Sequence, residues 1–290
     1  MSKLSLGTVQ FGLNYGVSNK NGKVKLAEVK KIIQLAKNSN IDLIDTAISY
    51  GDSEKVIGDI GIKDFKLISK LPDFPGGNID VDAWVEENVK SSIKRMGINS
   101  LYGLLIHNTE NLLDNKGKKL ISSLKRMKND GLVKKIGISI YDPSECEKIF
   151  NLMKIDIVQA PLNIIDRRLV ESGWLSKLNS EEVEIHARSV FLQGLLLMSR
   201  DSIPNYFNRW SKIWDQWSLE LKKNNLNPME VCLSYVLSLP EIDHVIVGVD
   251  NVYQLKDIID KSKSKIAQID WSFMISNDQM LINPTNWYKL

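Results

Sequence analysis

Short apolar segments alternate with helical patterns along nearly the whole chain, and this alternation restricts the possible folds more than any other feature. The apolar segments are rich in Ile, Leu and Val, and most are bounded by polar residues, glycine or proline, which is typical of strands buried on both faces. The sequence predicts strands at residues 4–9, 41–45, 66–70, 101–107, 135–139, 155–159, 182–187 and 244–247.

Helical stretches follow nearly every predicted strand, at residues 24–38, 82–96, 120–129, 143–152, 228–239 and 252–261. Parallel strands joined by helices need right-handed crossovers, and eight such units in 290 residues predict an α/β fold, a closed (β/α)8 TIM barrel. We expect one domain over residues 1–290, because no linker or composition break interrupts the pattern. A doubly wound open sheet is the alternative, but the segment Gly7-Thr-Val-Gln-Phe-Gly12 lacks the glycine spacing usual in such folds.

Composition argues against several classes of function. The chain has 38 basic and 35 acidic residues, a net charge of +3, and its lysines are spread out, so we expect no nucleic-acid binding. The absence of a signal region and of any membrane-length apolar stretch predicts no membrane contact and a cytoplasmic location. Two cysteines fit a reducing compartment, and the three histidines form no metal-type cluster with a neighbouring acid or cysteine, so no metal is expected. The oligomeric state stays open.

Four chemically distinct side chains stand at or just beyond the ends of three consecutive predicted strands. Asp45 ends the second strand with Tyr50 shortly after it, Lys70 ends the third, and His107 ends the fourth. In a (β/α)8 barrel the chemistry lies at the carboxyl ends of the strands, where these side chains would meet. For Asp45 and Tyr50 alone, a turn cap and a packing residue are the simpler interpretation, but all four together favour a site for proton transfer.

The chemistry of such a group of side chains has a natural interpretation. A phenol has an ordinary pKa of about 10, which a nearby ammonium lowers, and a carboxylate beside the lysine keeps the lysine charged. An imidazole can hydrogen-bond and orient a substrate carbonyl. The set would protonate a carbonyl that receives a hydride, and because no side chain supplies hydride, the sequence predicts a nicotinamide cofactor.

The chain resembles the aldo-keto reductase superfamily nearly end to end. The segment Asp45-Thr-Ala-Ile-Ser-Tyr50-Gly-Asp-Ser-Glu is very similar to its amino-terminal signature, and Lys70 and His107 stand where its catalytic tetrad continues. The resemblance implies that Tyr50 is the general acid, Lys70 the modulator of its pKa, Asp45 the partner of the lysine, and His107 the group that orients the carbonyl. We call these four side chains the tetrad.

The resemblance implies that the protein is an NAD(P)H-dependent oxidoreductase, which reduces an aldehyde or ketone to an alcohol. Its partner would be a small carbonyl compound. A non-catalytic nucleotide-binding sensor or assembly subunit on the same fold is the alternative, and the complete tetrad argues against it. A metal-dependent barrel hydrolase lacks the ligands.

The resemblance also implies cofactor contacts at strand ends. Gly7 and Thr8 resemble the family's first-strand segment beside the nicotinamide, and Ser139 and Gln159 match positions that hold its carboxamide. Many members have asparagine after this serine, where the chain has Ile140, so the resemblance does not carry over the carboxamide contact made by that asparagine. The alternative role for Ser139 and Gln159 is to satisfy backbone groups at the end of the barrel.

The segment Arg188-Ser-Val-Phe-Leu-Gln-Gly-Leu replaces a commoner Tyr-Ser-Pro-Leu-Gly-Arg-Gly-Leu of the family. By that alignment, Ser189 and the backbone at Gln193, Gly194 and Leu195 would meet the pyrophosphate. Arg188 falls where an aromatic ring often stacks on the nicotinamide, and its charge would favour the neutral reduced cofactor or reach an acidic substrate. A surface salt bridge is the alternative. Some relatives with a similar segment are associated with sugar or polysaccharide metabolism, which is a weak indication of a sugar-related substrate.

The segment after the eighth strand resembles the family's loop for the adenosine phosphate. Gly248, Asn251 and Gln254 are its implied cofactor contacts, and Asn251 should cap the following helix, whose amino-terminus favours an anion. Members that bind a 2′-phosphate usually have arginine or lysine here, whereas this chain has Asp250 and Gln254. The family as a whole favours NADP(H) as the cofactor, and NAD(H) is not excluded.

Two aromatic segments have simpler interpretations than ligand binding. Phe207, Trp210, Trp214 and Trp217 recur at helical spacing within residues 199–227 and predict a helix packed on the core. Trp287 lies in a tail segment seen in part of the family, where it would be either a wall of the substrate pocket or a terminal packing residue.

Overall fold

The computed structural model describes residues 2–264 and 269–290. Within them, parallel strands are hydrogen-bonded in sequence order and the last strand pairs with the first, which closes a barrel. The eight strands are β1 (Leu4–Gly7), β2 (Leu43–Asp45), β3 (Lys66–Leu71), β4 (Leu101–Ile106), β5 (Val133–Ser139), β6 (Ile157–Pro161), β7 (Glu184–Arg188) and β8 (His244–Gly248). This architecture confirms the predicted (β/α)8 barrel, in which parallel neighbours require helical crossovers.

The helices of the described residues vary widely in length. They are α1 (Val9–Gly12), α2 (Leu26–Asn38), α3 (Ser53–Ile60), α4 (Val81–Met96), α5 (Glu110–Leu113), α6 (Gly117–Asn129), α7 (Ser144–Phe150), α8 (Arg168–Glu171), α9 (Trp174–Ser180), α10 (Ser211–Lys223), α11 (Pro228–Leu237), α12 (Val252–Lys261) and α13 (Gln279–Ile282). The sequence pattern did not predict α8 or α9, whose four and seven residues show too little periodicity. The start of α3 at Ser53 agrees with the helix cap expected at Asp52 or Ser53. None of the helices described is both long and apolar enough to cross a membrane.

Each predicted strand overlaps an observed strand, but several boundaries differ. β4 ends at Ile106, so His107 is the first residue of the following loop rather than the last residue of the strand. β6 and β7 each begin two residues later than predicted and extend to Pro161 and Arg188. Glu182 cannot begin β7, because its φ of 56° is left-handed and incompatible with an extended strand.

Specific contacts define the ends of the helices that flank the site. Asn227 Oδ1 accepts a hydrogen bond from Met229 N at 2.9 Å at the start of α11, and Asn251 Oδ1 accepts one from Gln254 N at 3.0 Å at the start of α12. Gly97 ends α4 with a φ of 64°, a conformation that glycine adopts without strain. These side chains therefore cap the helices as their positions in the sequence predict.

The interior of the barrel is apolar in a layer below its carboxyl end. Four fully buried residues form a cluster separate from the shell between barrel and helices: Leu43, Ile68, Leu105 and Ile157. Three of the four precede Asp45, Lys70 and Gln159 by two residues, and alternate side chains of a strand share a face. The polar groups at the carboxyl end therefore lie directly above this apolar layer.

The amino-terminal end of the barrel holds a cluster that corrects the sequence analysis. Glu184, His186 and His244 each place a potential ligand atom within 4.8 Å of the others, although no grouping of histidine with an acid was expected. Glu184 and His186 share a face of β7, and the pairing of His186 with His244 brings β8 alongside. Glu184 accepts hydrogen bonds from His186 (2.6 Å), Tyr102 (2.7 Å) and the Lys135 ammonium, whose charge would oppose a bound cation.

The aromatic segment includes the predicted core-facing helix, α10. Trp214 and Trp217 on this helix are buried, and Phe207 in the preceding turn is fully buried. Trp287 packs on Phe207 with ring centroids 4.9 Å apart and donates to Leu281 O at 3.1 Å. Trp287 is therefore a terminal packing residue, and the structure does not support its alternative role as a pocket wall.

Candidate active site

An ion pair lies buried at the carboxyl end of the barrel, where β2 and β3 end. Lys70 Nζ donates to both oxygens of Asp45, at 2.8 and 2.7 Å, and to Thr46 O at 2.8 Å. Lys70 is fully buried and Asp45 is 4% exposed. Charges in such a place are tolerated when they are paired and hydrogen-bonded, and all three N–H donors of this lysine have an acceptor.

Tyr50 and His107 stand next to this ion pair. Lys70 Nζ lies 5.0 Å from the centroid of the Tyr50 ring, and the ring centroids of Tyr50 and His107 are 5.9 Å apart with their planes at 76°. Ser49 Oγ lies 3.3 Å from His107 Nδ1. The structure thus brings together all four side chains of the tetrad.

Close backbone contacts fix the position of Tyr50. A Cβ at Gly12 would lie 1.8 Å from Tyr50 O, so α1 and the loop after β2 approach each other as only glycine permits. Thr8 Oγ1 donates to Asp45 O at 3.0 Å, and Ser53 Oγ donates to Thr8 O at 2.9 Å. The loop that carries Tyr50 is therefore tied to the end of β1 on both sides.

Glu54, the last residue of the signature segment, supports this loop from below. Its carboxylate is 2% exposed and accepts hydrogen bonds from Ser69 and Ser92, each at 2.6 Å, and from Arg95 Nη2 at 2.6 Å. These donors belong to β3 and α4, so Glu54 holds the start of α3 against both. A Cβ at Gly58 would lie 2.1 Å from Arg95 O, which explains why glycine occurs there.

Burial governs the protonation of Tyr50. It is the main reason that the pKa of Tyr50 is raised above its usual value; the charge of Asp45 adds to this shift, and Arg188 opposes it. The predicted lowering of this pKa by Lys70 is not found, because Asp45 neutralises the ammonium at 2.8 Å and burial outweighs the remainder. Tyr50 is therefore a protonated phenol near neutral pH.

Burial also has the largest effect on the pKa values of His107 and Lys70. Burial, followed by Lys70 and Arg188, lowers the pKa of His107 to about 4, so its imidazole is uncharged near neutral pH. Burial lowers the pKa of Lys70 as well, against the attraction of Asp45. The site therefore presents a neutral phenol and a neutral imidazole above a compensated ion pair.

A cavity of about 400 Å³ opens above these side chains, within the usual size range of small-molecule sites. Asp45, Tyr50 and His107 contribute to its lining, while Lys70 lies beneath it. Most of the predicted cofactor positions line the cavity: Gly7, Thr8, Ser139, Gln159, Arg188, Ser189, Gln193, Gly194, Gly248 and Gln254. The predicted cofactor positions thus border the same cavity as the tetrad.

Two predicted cofactor positions lie outside this lining. Leu195 is 1% exposed and packs in the core, because the chain turns inward there in a short 3-10 helix. The side chain of Asn251 is engaged in capping α12. For these two residues the structure shows a packing role and a capping role.

Ser139 and Gln159 belong to the hydrogen-bond network of the tetrad. Ser139 Oγ donates to Gln159 Oε1 at 3.5 Å, and Gln159 Nε2 donates to Asp45 Oδ1 at 2.7 Å. Both side chains are buried and both border the cavity. Their positions fit each of the two roles considered from the sequence, support of the barrel end and contact with a ligand.

The loop after β7 has an unusual backbone. Positive φ angles occur at Ser189 (60°), Leu192 (47°), Gln193 (54°) and Gly194 (87°). A left-handed conformation costs a non-glycine residue on the order of 1–2 kcal/mol, and such strain is often found at ligand-binding sites. Gln193 also joins this loop to the one after α1, since its Nε2 donates to Tyr15 Oη at 3.2 Å and its carbonyl accepts from Ser18 Oγ at 3.4 Å.

The end of the cavity near α12 is acidic. Asp250 accepts a hydrogen bond from Asn19 Nδ2 at 3.2 Å, and its backbone N–H donates to Gln254 Oε1 at 2.7 Å. Burial raises the pKa of Asp250. Within the described part of the chain, Arg188 is the only arginine or lysine in the cavity lining, and its charge acts on the tetrad.

Several residues of the cavity wall were not indicated by the sequence. They include Gln10, Tyr15, Ser18, Asn19 and Tyr141. Gln10 lies on α1, and the others lie in loops after α1 and β5, where the apolar periodicity that predicts strands and helices is absent. The run of Asn, Gly and Ser at residues 14–22 indicates a loop, but it gives no sign that this loop reaches the segment after β7.

A closed (β/α)8 barrel with an acid, a phenol, an ammonium and an imidazole at its carboxyl end defines a class of barrel oxidoreductases. A family model described as "Aldo/keto reductase family" matches residues 3–274, so the chain belongs to the aldo-keto reductases. Members of this family are oxidoreductases that use nicotinamide cofactors in carbonyl reduction.

Comparison with individual proteins agrees with this assignment. The chain is 23% identical over 291 residues to the uncharacterized oxidoreductase YqkF of Bacillus subtilis (strain 168), with 91% of this chain and 92% of that protein covered. It is 25% identical over 268 residues to the NADH-specific methylglyoxal reductase of Escherichia coli (strain K12), with 83% and 80% covered. The solved structure of aldo-keto reductase AKR11C1 from Bacillus halodurans (holo form) is similar with a TM-score of 0.73 and 19% identity, covering 94% and 91% of the two chains. At this identity, the structural likeness supports the fold alone.

Proposed function

We propose that this protein reduces an aldehyde or ketone to an alcohol, with a nicotinamide cofactor as hydride donor and Tyr50 as the general acid. One observation carries the proposal: a protonated phenol and a neutral imidazole lie over the buried Lys70–Asp45 pair at one end of a cavity that also borders Asp250. Membership of the aldo-keto reductases supports the same reaction type.

Unsatisfied polar atoms in the cavity wall fit a polar cofactor. Gln10 Oε1 and Arg188 Nε are buried without a hydrogen-bond partner, and both residues line the cavity. Buried polar atoms of this kind usually have a partner, so they point to a polar ligand. A Cβ at Gly248 would lie 2.5 Å from Gln10 Nε2, so the side chain of Gln10 packs closely against Gly248 in this wall.

The residues that would hold the cofactor are those bordering the cavity. Ser139 and Gln159 would hold the carboxamide, the backbone of residues 189–194 would meet the pyrophosphate, and Asp250 and Gln254 would lie by the adenosine. When bound in its reduced form, the nicotinamide supplies the hydride that adds to the carbonyl carbon.

Tyr50 supplies the proton in this proposal. The phenolic O–H bond breaks as the O–H bond of the alcohol forms, and the phenolate then recovers a proton from solvent. The phenol can donate in this direction because it is protonated beforehand and because the developing alkoxide is a stronger base than a phenolate. Asp45 holds Lys70 beneath Tyr50, with the Lys70 Nζ 5.0 Å from the centroid of the Tyr50 ring.

His107 orients the carbonyl. In the neutral tautomer that carries its proton on Nε2, the His107 imidazole can accept from Ser49 Oγ through Nδ1 and donate to the carbonyl oxygen through Nε2. The low pKa of about 4 keeps the ring in this neutral form. His107 thereby directs the oxygen towards the Tyr50 hydroxyl without adding a charge.

We propose NADH as the better hydride donor, although the family as a whole favours NADP(H). A 2′-phosphate near the start of α12 would meet the carboxylate of Asp250, and the described cavity lining offers no lysine or arginine there. The similarity to a methylglyoxal reductase described as NADH-specific supports the same choice.

The central test is the Tyr50→Phe variant, which removes only the hydroxyl. Turnover of a panel of aldehydes and ketones should fall by roughly 10²–10⁴-fold, the usual contribution of a general acid, while the Kd for NADH stays within about twofold. Tyr288→Phe, at a residue that is 83% exposed, is the matched control and should keep full activity. Full activity of Tyr50→Phe would refute the assignment, and tight nucleotide binding by a wild type that reduces no carbonyl would favour the sensor or assembly subunit.

A further inference from the structure

Arg188 is a charged side chain that the proposed reaction does not use. It ends β7, lines the cavity, and is half-buried. Its Nη2 donates to Ile140 O at 2.8 Å and its Nη1 to Ser189 Oγ at 3.1 Å, while the guanidinium lies 4.4 Å from the centroid of the Tyr141 ring. None of these partners carries a negative charge.

The charge of Arg188 has no counter-charge within residues 2–264 and 269–290. No aspartate or glutamate there forms an ion pair with it, whereas Arg168 pairs with both Asp142 and Asp166. The surface salt bridge considered from the sequence is therefore not found. Asp45, the carboxylate of the tetrad, is already held by Lys70 and Gln159.

Arg188 also has hydrogen-bond donors without a protein acceptor. A guanidinium has five N–H donors, and the two bonds described occupy one on each terminal nitrogen. The Nε–H is buried and has no partner. A half-buried guanidinium with free donors is the arrangement that proteins use to bind carboxylate or phosphate groups.

The guanidinium of Arg188 lines the same cavity as Tyr50 and His107. Its positive charge opposes the rise in the pKa of Tyr50 and adds to the fall in the pKa of His107. Tyr141 and Tyr15 border the cavity beside it, and the Tyr15 hydroxyl, which accepts from Gln193 Nε2, has its own proton free to donate. An anion at Arg188 would therefore sit among several hydrogen-bond donors, in the cavity that Tyr50 and His107 also line.

We propose that Arg188 forms a subsite for an anionic group, a carboxylate or a phosphate, on a carbonyl substrate that Tyr50 protonates. The inference rests on the proposed function and narrows its substrate class to aldehydes and ketones that carry such a group. The pyrophosphate of the cofactor is the other source of the same chemistry, so the experiment must distinguish the two.

The experiment compares matched carbonyl pairs: succinic semialdehyde with butanal, and glyceraldehyde 3-phosphate with glyceraldehyde. Wild type should show a higher kcat/KM for the anionic member of at least one pair, by roughly tenfold to hundredfold, as expected for a charge-assisted hydrogen bond. Arg188→Met keeps an unbranched, flexible side chain but removes the guanidinium, and it should bring that ratio close to one. Arg126→Met, at an arginine on α6 away from the cavity, is the matched control and should leave the ratio unchanged.

Two binding measurements separate the possible outcomes. If Arg188→Met weakens NADH binding and leaves the anionic-to-neutral ratio unchanged, the arginine serves the cofactor and the proposal is wrong. Calorimetric titration with succinate in the presence of NAD⁺ needs no turnover. Succinate binding by wild type that Arg188→Met abolishes supports the subsite, and equal succinate binding by both proteins overturns it.

Reduction of neutral carbonyls without any preference for the anionic ones would overturn the subsite but leave the proposed function standing. A wild type that reduces neither kind would refute the proposed function, and the succinate titration would still decide the subsite.

Discussion

Replacing Asp45 with asparagine removes one charge from the buried ion pair while keeping the size of the side chain. Lys70 is fully buried, and in the variant its remaining acceptors are neutral. They are Thr46 O, which lies 2.8 Å from Lys70 Nζ in the wild type, and the amide oxygen of the new side chain. The Nε2 of Gln159, which donates to Asp45 Oδ1 at 2.7 Å, would compete for that amide oxygen. The substitution therefore leaves a buried ammonium without a counter-charge.

We expect the free energy of unfolding to fall by about 3–5 kcal/mol, the usual cost of breaking a buried ion pair on one side. The loss should depend on pH in a defined direction. Without Asp45 the pKa of Lys70 in the folded protein drops further below its unfolded value of about 10.4, because the carboxylate no longer opposes burial. The unfolded variant then binds more protons than the folded variant, so its free energy of unfolding increases with pH. The difference in the free energy of unfolding between wild type and variant should therefore narrow as the pH rises from 7 towards 10.

Urea denaturation followed by tryptophan fluorescence at pH 7 and pH 9.5 measures both effects. Asp52→Asn is the control, because it breaks an ion pair with Lys23 whose side chains are 48% and 45% exposed, and it should cost less than about 1 kcal/mol. Combining Asp45→Asn with Lys70→Met removes both charges and should recover much of the lost stability. If Asp45→Asn costs no more than Asp52→Asn, the reasoning about the buried pair is refuted.

Three further predictions concern other charged groups. Asp250→Ser should raise the ratio of kcat/KM for NADPH to that for NADH by about tenfold, because a carboxylate no longer faces the 2′-phosphate; an unchanged ratio in steady-state assays would contradict this. Burial lowers the pKa of His244 to about 4, so stability should be lost as the pH falls from about 6.5 to 4, and the urea midpoint of His244→Gln should vary less over this window. Glu54→Gln should lower the free energy of unfolding by about 3 kcal/mol, because Glu54 is buried and paired with Arg95. Glu110→Gln, at an exposed pair with Lys148, should lower it by less than about 1 kcal/mol. Equal losses of the two variants in urea denaturation would argue against Glu54 as an anchor of α3.

The parts of the fold that the sequence predicts are those that follow from burial on both faces. Continuous apolar runs identify the strands, and the rule that parallel strands present their carboxyl ends on one side then places Asp45, Lys70 and His107 together. That placement needs no knowledge of the loops. It tolerates small errors as well, since His107 lies one residue beyond β4 and still faces Tyr50.

The features that the sequence does not predict depend on loop conformation or on pairing across the barrel. Tyr15 and Ser18 reach the cavity only because the loop after α1 folds onto Gln193, a contact between residues far apart in the sequence. Glu184 and His186 meet His244 because β7 and β8 pair in one register, and a shift of one residue would turn their side chains away. The protonation of Tyr50 was also misjudged from the sequence, because the extent of burial and the strength of the Lys70–Asp45 pair appear only in three dimensions.

The electrostatics of the site give the proposed anion subsite a kinetic signature. During reduction Tyr50 becomes a phenolate where burial and the charge of Asp45 disfavour one, and Arg188 is the cation that opposes them. A substrate anion bound to Arg188 would partly neutralise this cation, so substrate and phenolate compete for the same positive charge. The anion should therefore strengthen binding of the ground state more than that of the transition state. An anionic substrate should therefore have a lower KM than its neutral counterpart, while its kcat is equal or lower. A preference for the anionic substrate that appears in kcat alone would need another cause.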